Sequence, residues 1–444
     1  MLKKNSKKVK PGDSFVVIDD GIKYIDEAID NGAVRIISTQ KYKNIDTLIV
    51  NDPLNYYNNY IYNIYYNKIK DIKLIGITGT NGKTTTAYLI YQMLNKLNIK
   101  CAYIGTIGFY HNKTYDEISH TTPDIDDLYE MLEICKNENI EYVVMEVSSH
   151  ALKQNRIYGL KFDITIFTNF TQDHLDYHET MNDYLESKIK LFELLKEKGT
   201  AIINSDDENY KNFILKQNKN ILVGLNGDVK INNIVLNHNK TDVEFLYDKA
   251  YYKSLNMVGK YNAYNYLEAV TTLHCIGFNI DKILELDITA PPGRMELIKY
   301  KNNSIFIDYA HTPDAFTNVL NCVNELKVNK IITIFGCGGN RDSSKRKIMG
   351  DIATKISDYV IITDDNPRNE DGDLIIKDII SGIEKNNYEV IRKRKEAIKK
   401  GVELLTDNDI LMILGKGHEN YQIIGDTKHH FDDREAVEEL IKHI

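Results

Sequence analysis

Short apolar runs bounded by polar residues recur along the chain. Lys73-Leu74-Ile75-Gly76-Ile77, Tyr142-Val143-Val144-Met145 and Asp163-Ile164-Thr165-Ile166-Phe167 are apolar on both alternating faces. Runs of that kind predict strands buried on both sides, as in a parallel sheet covered by helices. After the first run, Ala87, Ile90, Leu94 and Leu97 recur at spacings of three and four. That predicts a helix with one apolar face. Four later runs, at 304–307, 331–335, 359–362 and 410–414, again alternate with helical segments. Ala290-Pro291-Pro292-Gly293 stands between the two series and predicts a linker. The expected fold is α/β with mostly parallel sheets, in blocks 1–70, 71–290 and 291–444.

Length agrees, since 444 residues is close to three domains of about 150 residues each. A hydrophobic fraction of 42% excludes wholesale disorder. No apolar run approaches the roughly 18 residues that span a bilayer, so no membrane partner is expected. Met1-Leu2-Lys3-Lys4-Asn5 has no apolar segment of a secretion signal, so a cytoplasmic location is expected. A net charge of −8 argues against nucleic acid as a partner. Cys101, Cys135, Cys275, Cys322 and Cys337 include no Cys-x-x-Cys pair, so neither a disulfide framework nor a zinc site is expected. The tract 56–66, rich in Tyr and Asn, reads as a biased surface segment or linker.

Chemistry begins at Gly79-Thr80-Asn81-Gly82-Lys83-Thr84, directly after the 73–77 strand and before the helix. Strand, Gly-rich turn and helix is the context of a phosphate loop. Backbone N–H groups there converge on phosphate oxygens, and glycine lets the backbone approach. Lys83 is expected to face solvent and reach the β- and γ-phosphates, with the Thr84 hydroxyl on Mg²⁺. The loop departs from strict GxxxxGK[ST], since residue 77 is Ile. Glu146 ends the second strand, in the crevice where parallel sheets bind ligands, and is a natural Mg²⁺ ligand. Thr168-Asn169-Phe170-Thr171-Gln172-Asp173-His174-Leu175-Asp176-Tyr177-His178 follows the third strand and could line the same crevice.

These strings, with GKYNAYN at 259–265, GRME at 293–296, DYAHTPDA at 308–315, FGCGGNRD at 335–342, DDNPR at 364–368 and GKGHE at 415–419, resemble the Mur ligases. Within that family they are most similar to the branch adding the third residue of the peptidoglycan stem peptide. The resemblance implies an ATP-dependent, ADP-forming amide ligase working through an acyl phosphate. It implies a UDP-sugar domain at 1–70, a central P-loop ATPase domain at 71–290 and a Rossmann-like domain at 291–444. The cofactors implied are ATP and Mg²⁺. The substrates implied are UDP-MurNAc-L-Ala-D-Glu and meso-diaminopimelate, handled by a monomer. Gly79, Thr80, Asn81, Gly82, Lys83, Thr84, Thr85, Asn262, Asn265, Arg294 and Asp308 match ATP-binding positions. Ser6, Thr121, Thr122, Ser148, Gln154 and Arg156 match contacts to the UDP-sugar peptide. Thr84, Glu146, His174 and Lys188 match metal positions, Lys188 as a carbamylated lysine; by sequence alone Lys188 is an exposed helix lysine. Lys83, Glu146, His174 and Lys188 are thereby the catalytic candidates.

Arg341, Asp365, Asn366, Pro367, Arg368, Gly415 and Glu419 match amino-acid-binding positions. Arg341 and Arg368 are fork-shaped cations suited to carboxylates, and Glu419 is an anion suited to an ammonium. That array suits a zwitterion with an additional carboxylate. Lysine in the same reaction is the nearest alternative. Folylpolyglutamate synthetases share the loop and the chemistry, but TTPD, DNPR and GKGHE speak against them. A non-catalytic nucleotide-binding relative is the other alternative. The stretch before Asn5-Ser6-Lys7 and the loop between Val17 and Gly21 are shorter than is usual in the family, so a trimmed N-terminal UDP-binding domain is expected.

Overall fold

In the computed structural model, residues 1–175 and 177–442 are described. Contacts divide the chain into two compact units. The first comprises 1–72 with the returning segments 123–141 and 154–160. Its sheet is four parallel strands in chain order, Leu2–Lys3, Ser14–Val16, Arg35–Ser38 and Asp46–Ile49. Phe15, Ile25, Ala28 and Ile36 form its small core.

The Tyr/Asn tract is no linker. It is the helix Pro53–Ile69. Asp52 caps it, accepting from Asn55 N at 2.9 Å, and Pro53 starts it with a preset φ. Tyr57, Asn58, Ile61 and Ile69 are buried, while much of the remainder is exposed. It packs on the helix Ile125–Asn137, with the Tyr65 and Tyr129 rings 5.9 Å apart.

The second unit holds two large sheets. One has eleven strands, in which Lys73–Thr78 lies between Tyr142–Glu146 and Phe162–Phe167. All three are parallel, as are the neighbouring Cys101–Gly105, Leu195–Asn204 and Lys219–Gly224. Antiparallel strands finish both edges. Ala87, Ile90 and Leu94 are fully buried on the helix Lys83–Lys96, covering the sheet; Leu97 lies just past its end. The other sheet has six strands, running Glu296–Tyr300, Asn303–Asp308, Ile410–Leu414, Ile331–Phe335, Tyr359–Ile362 and Tyr388–Val390. Only its first pair is antiparallel.

This order positions the chemistry. The strings at 308–315, 335–342, 364–368 and 415–419 each follow one of four adjacent parallel strands at its carboxyl end. They are distant in sequence but meet along one rim. Among the described residues, no helix is long and apolar enough to cross a membrane.

Candidate active site

The chain leaves the central strand, turns through Gly79 (φ 148°) and Gly82 (φ 86°), and enters the helix at Lys83. A Cβ on Gly79 would lie 1.9 Å from Thr168 Oγ1, and one on Gly82 2.5 Å from Asn265 Oδ1. Glycine is therefore required at both. The loop is pinned to the end of the Phe162–Phe167 strand. Thr80 N donates to Asn169 O at 2.8 Å, and Asn81 N to Asn169 Oδ1 at 2.9 Å. Thr168 Oγ1 donates to Asn81 O at 2.6 Å. The helix N-terminus, with its unpaired N–H groups, opens on a cavity of about 200 Å³ lined by Gly82, Lys83, Thr84 and Thr85.

Lys83 does not face solvent. It is half-buried and folded back, donating to Gly79 O at 2.9 Å and Thr80 O at 2.8 Å. A half-buried ammonium needs acceptors, and the bent loop presents two carbonyls beside it. Lys188 is 1% exposed, not a surface residue, and donates to the same Gly79 O at 2.7 Å. Burial holds its pKa well below the ordinary lysine range; the Lys83 charge adds to this and Asp173 opposes it. Two lysines crowding one carbonyl oxygen disfavour each other's charge.

Glu146 is fully buried at its strand end. Its carboxylate accepts from Tyr103 Oη, Thr106 N (2.9 Å), Thr106 Oγ1 (3.1 Å) and Thr84 Oγ1 (3.0 Å). His174 lines the same cavity, with Nε2 3.3 Å from Asp173 Oδ2. Burial pushes its pKa down to about 3, against the Asp173 charge and with help from His150, Lys83 and Lys188. The ring is therefore neutral near pH 7. Burial also raises Asp173, but His174, His311 and Lys345 outweigh it and leave that carboxyl below its ordinary value. Asp176, in the same string, lies outside the described residues. Among the described residues, no group of three or more His, Cys, Asp or Glu could hold a metal ion. Thr84 and Glu146 do present two hard oxygens to the cavity. That fits Mg²⁺, which takes few protein ligands and completes its shell with phosphate and water.

A second cavity of about 510 Å³ continues from the first, sharing Asn81, Gly82, Thr85, Arg294, Tyr309 and His311. Asn262 and Asn265 line it from the helix Lys260–Ile276. Arg294 stands at the junction. It donates to Thr84 Oγ1 at 3.2 Å and lies 4.7 Å from the centre of the Tyr309 ring. Asp308 lines the wall, but both its oxygens are occupied by backbone, Ala310 N and Met295 N, each at 2.7 Å.

The expected sugar-peptide residues belong to both units. Thr121 and Ser148 line the smaller cavity. Thr122 braces its wall, donating to Glu146 O at 2.8 Å and accepting from Ser148 N at 3.0 Å. Gln154 and Arg156 belong to the first unit, where Arg156 Nε donates to Gln154 Oε1 at 2.8 Å. Ser6, also there, is buried with its hydroxyl on the Glu27 carboxylate.

On the rim of the six-stranded sheet, Arg341 and Arg368 both approach Gly338. A Cβ at that glycine would lie 3.0 Å from Arg368 Nη1 and 3.8 Å from Arg341 Cγ. Arg368 holds φ 53° because its backbone is tied to the hairpin Tyr421–His430, through Ile423 O at 3.0 Å and Gly425 N at 2.8 Å. Pro367 is buried beside it; its carbonyl would lie 1.9 Å from a Cβ on Gly339. Asn366 donates to Glu419 Oε2 at 2.8 Å and accepts from Ile423 N at 2.9 Å. Burial and the neighbouring Asp365 push Glu419 upward, and Lys416, 3.2 Å away, pulls it back. Gly415 lets Asp365 approach, since a Cβ there would lie 2.7 Å from Asp365 Oδ2. Sequence reasoning missed Tyr103 and Thr106, which hold Glu146, and nothing local marks them. It also missed Lys416 and Asp173, both inside strings already singled out.

Residues 77–273 match the Mur ligase middle domain, and 293–417 match the Mur ligase glutamate ligase domain. A UDP-N-acetylmuramoyl-L-alanyl-D-glutamate–2,6-diaminopimelate ligase of Clostridium botulinum is 41% identical, over 99% of this chain and 94% of its own. The chain belongs to the Mur ligase family. The ligase of the same name from Rickettsia rickettsii is 43% identical, over 99% of this Mur ligase and 95% of that one. A solved structure of a ligase of that name superposes with a TM-score of 0.68 at 30% identity, covering all of this chain and 94% of the other. The MurF ligase of Thermotoga maritima, solved with ADP, shares the Mur ligase fold at a TM-score of 0.64 and 18% identity, over 100% and 97% of the two chains.

Proposed function

We propose that this Mur ligase joins meso-diaminopimelate to UDP-MurNAc-L-Ala-D-Glu at the expense of ATP, releasing ADP and phosphate. The reaction is a step of peptidoglycan precursor synthesis in the cytoplasm, carried out by a monomer with domains at 1–70, 71–290 and 291–444. The observation that carries the reading is the continuity of the two cavities through Arg294 and the phosphate loop. The larger one has room for a nucleoside. The smaller one has the cations and buried carboxylate that a transferring phosphoryl group requires.

Asn262, Asn265 and the wall around Asp308 would hold adenine and ribose. Gly79, Thr80, Asn81, Gly82, Thr84 and Thr85 would cradle the phosphates. A γ-carboxylate oxygen of the D-Glu attacks the γ-phosphorus, and ADP departs. The amine nitrogen then attacks the acyl carbon, loses a proton, and phosphate leaves with the C–O bond pair. Lys83 and Arg294 would neutralise the charge that develops on the transferring group. Thr84, Glu146, neutral His174 and Lys188 would hold Mg²⁺. Bound there, Mg²⁺ supplies further charge neutralisation. Lys188 would take part as a carbamate; its low-pKa amine is uncharged often enough to react with carbon dioxide. Ser6, Thr121, Thr122, Ser148, Gln154 and Arg156 would hold the UDP-sugar peptide, and Arg341, Asp365, Asn366, Pro367, Arg368, Gly415 and Glu419 the amino acid. Two arginines beside one anion favour a diacid over lysine.

The test is phosphate release and product mass with UDP-MurNAc-L-Ala-D-Glu, ATP and each candidate amino acid. Product only with meso-diaminopimelate is expected. Turnover with lysine alone, or none with any amino acid, overturns the proposal.

A further inference from the structure

A chain of buried hydrogen bonds runs under the larger cavity. Glu268, on the helix Lys260–Ile276, lines that cavity and is fully buried. Its Oε2 lies 2.9 Å from Thr86 Oγ1, while Oε1 has no partner among the described residues. Thr86 Oγ1 also lies 3.3 Å from Asn265 Oδ1. One hydroxyl proton cannot serve both oxygens. Nor can the Asn265 amide be turned round to help. Its Nδ2 donates to Asn262 Oδ1 at 3.2 Å, and Asn262 Nδ2 donates to Val258 O at 2.8 Å. Val258 O can only accept, so the direction of the chain is set from that end. Asn265 thus offers Thr86 a lone pair, and Thr86 bonds both neighbours only by donating to Asn265 and accepting from Glu268. The contact between Thr86 and Glu268 then requires a proton on Glu268.

We propose that Glu268 is a protonated positioning residue of the nucleotide site, donating to Thr86 and thereby fixing the Asn265 and Asn262 amides in the cavity wall. This rests on reading the larger cavity as the ATP site. The surroundings suit a neutral acid. Burial pushes the carboxyl up to about 8, even with the Thr86 hydroxyl counted as a donor to the ionised form, which pulls the other way. Among the described residues no charge adds to this: Lys260 on the same helix and Asp206, Arg294, Asp308, His311, Asp314 and Glu325 around the cavity leave it unmoved. The helix Lys83–Lys96, packed against it, meets it with the Thr86 hydroxyl. The chain also reaches the phosphate loop, because Asn265 Oδ1 abuts Gly82. Once ionised, Glu268 can only accept. Thr86 then turns its proton away from Asn265, lone pairs face each other, and the hold on the Asn265 amide is weakened.

The experiment measures ADP affinity by calorimetry, and kcat and KM for ATP, from about pH 6 to about pH 10. The proteins are the wild type, Glu268→Gln and Glu268→Leu. Wild-type affinity should weaken roughly tenfold above about pH 8, the loss of one hydrogen bond, with kcat changing far less. Glu268→Gln, whose amide donates as the acid does, should keep the neutral-pH affinity and lose that decline. Glu268→Leu should bind weakly at every pH. If Glu268→Leu does not fold, the glutamine comparison decides alone. Identical pH profiles for wild type and Glu268→Gln overturn the inference. A wild type that binds no nucleotide at any pH instead removes the ATP reading on which it stands.

Discussion

Arg368→Ala should sharply reduce the preference for meso-diaminopimelate over lysine. The two amino acids differ by one distal carboxylate, and Arg368 is the candidate reader of it. Its guanidinium is half-buried against Gly338 and spends Nη1 on Gly339 O at 2.9 Å. The backbone ties to Ile423 and Gly425 do not involve the side chain, so alanine should leave the fold in place. Alanine also tolerates φ 53° no better and no worse than arginine, so strain is unchanged. Truncating one partner of a desolvated charge pair costs on the order of 3–5 kcal/mol, or about 10²–10⁴-fold. Arg368 is only half-buried, which places the effect toward the lower end, about 10²–10³-fold in kcat/KM for meso-diaminopimelate. Activity on lysine, lacking that carboxylate, should change by less than about tenfold. Arg368→Lys keeps the charge but not the fork and should fall between. The assay is kcat/KM for both amino acids on wild type and both variants. Equal use of lysine by the wild type, or an unchanged ratio in Arg368→Ala, refutes the reasoning.

Lys83→Ala should lower kcat about 10²–10³-fold, with the melting temperature held or raised, because its ammonium crowds Lys188 on Gly79 O; activity within tenfold of wild type would remove the phosphate-loop assignment. Lys188→Ala should be inactive yet folded, and a short-chain carboxylate should restore part of the activity by supplying the missing anion; full activity without rescue would exclude a role for this lysine. Glu268 also makes stability pH-dependent. Its carboxyl titrates near 8 folded and near 4.5 unfolded, so its contribution is fully present below about pH 4.5 and lost as pH rises through about 8. Urea melts should therefore show Glu268→Gln gaining on wild type between about pH 5 and pH 8, by a few kcal/mol; a constant difference would mean that Glu268 is ionised when buried.

The strands and the glycine turn between Lys73–Thr78 and Lys83–Lys96 were legible in the sequence because their causes are local. Apolar runs such as Ile331–Phe335 need only their own side chains to favour a buried strand, and the glycines before Lys83 mark a tight turn that a side chain would not fit. The helix Pro53–Ile69 escaped for a related reason. Tyrosine suits a core and a surface alike, so its periodicity is blurred, and only packing on Ile125–Asn137 selects the buried face. Which strings face one another was decided by strand order, since 308–315 and 415–419 meet only because Asn303–Asp308 pairs with Ile410–Leu414. Burial was a tertiary decision too. Lys188 and Glu268 sit on helices where sequence alone allows exposure, and Ser6 spends its hydroxyl on Glu27. Residue type is set by the chain, but desolvation and hydrogen-bond partners, which decide whether a lysine is neutral or a glutamate protonated, come from groups brought together across long stretches of sequence.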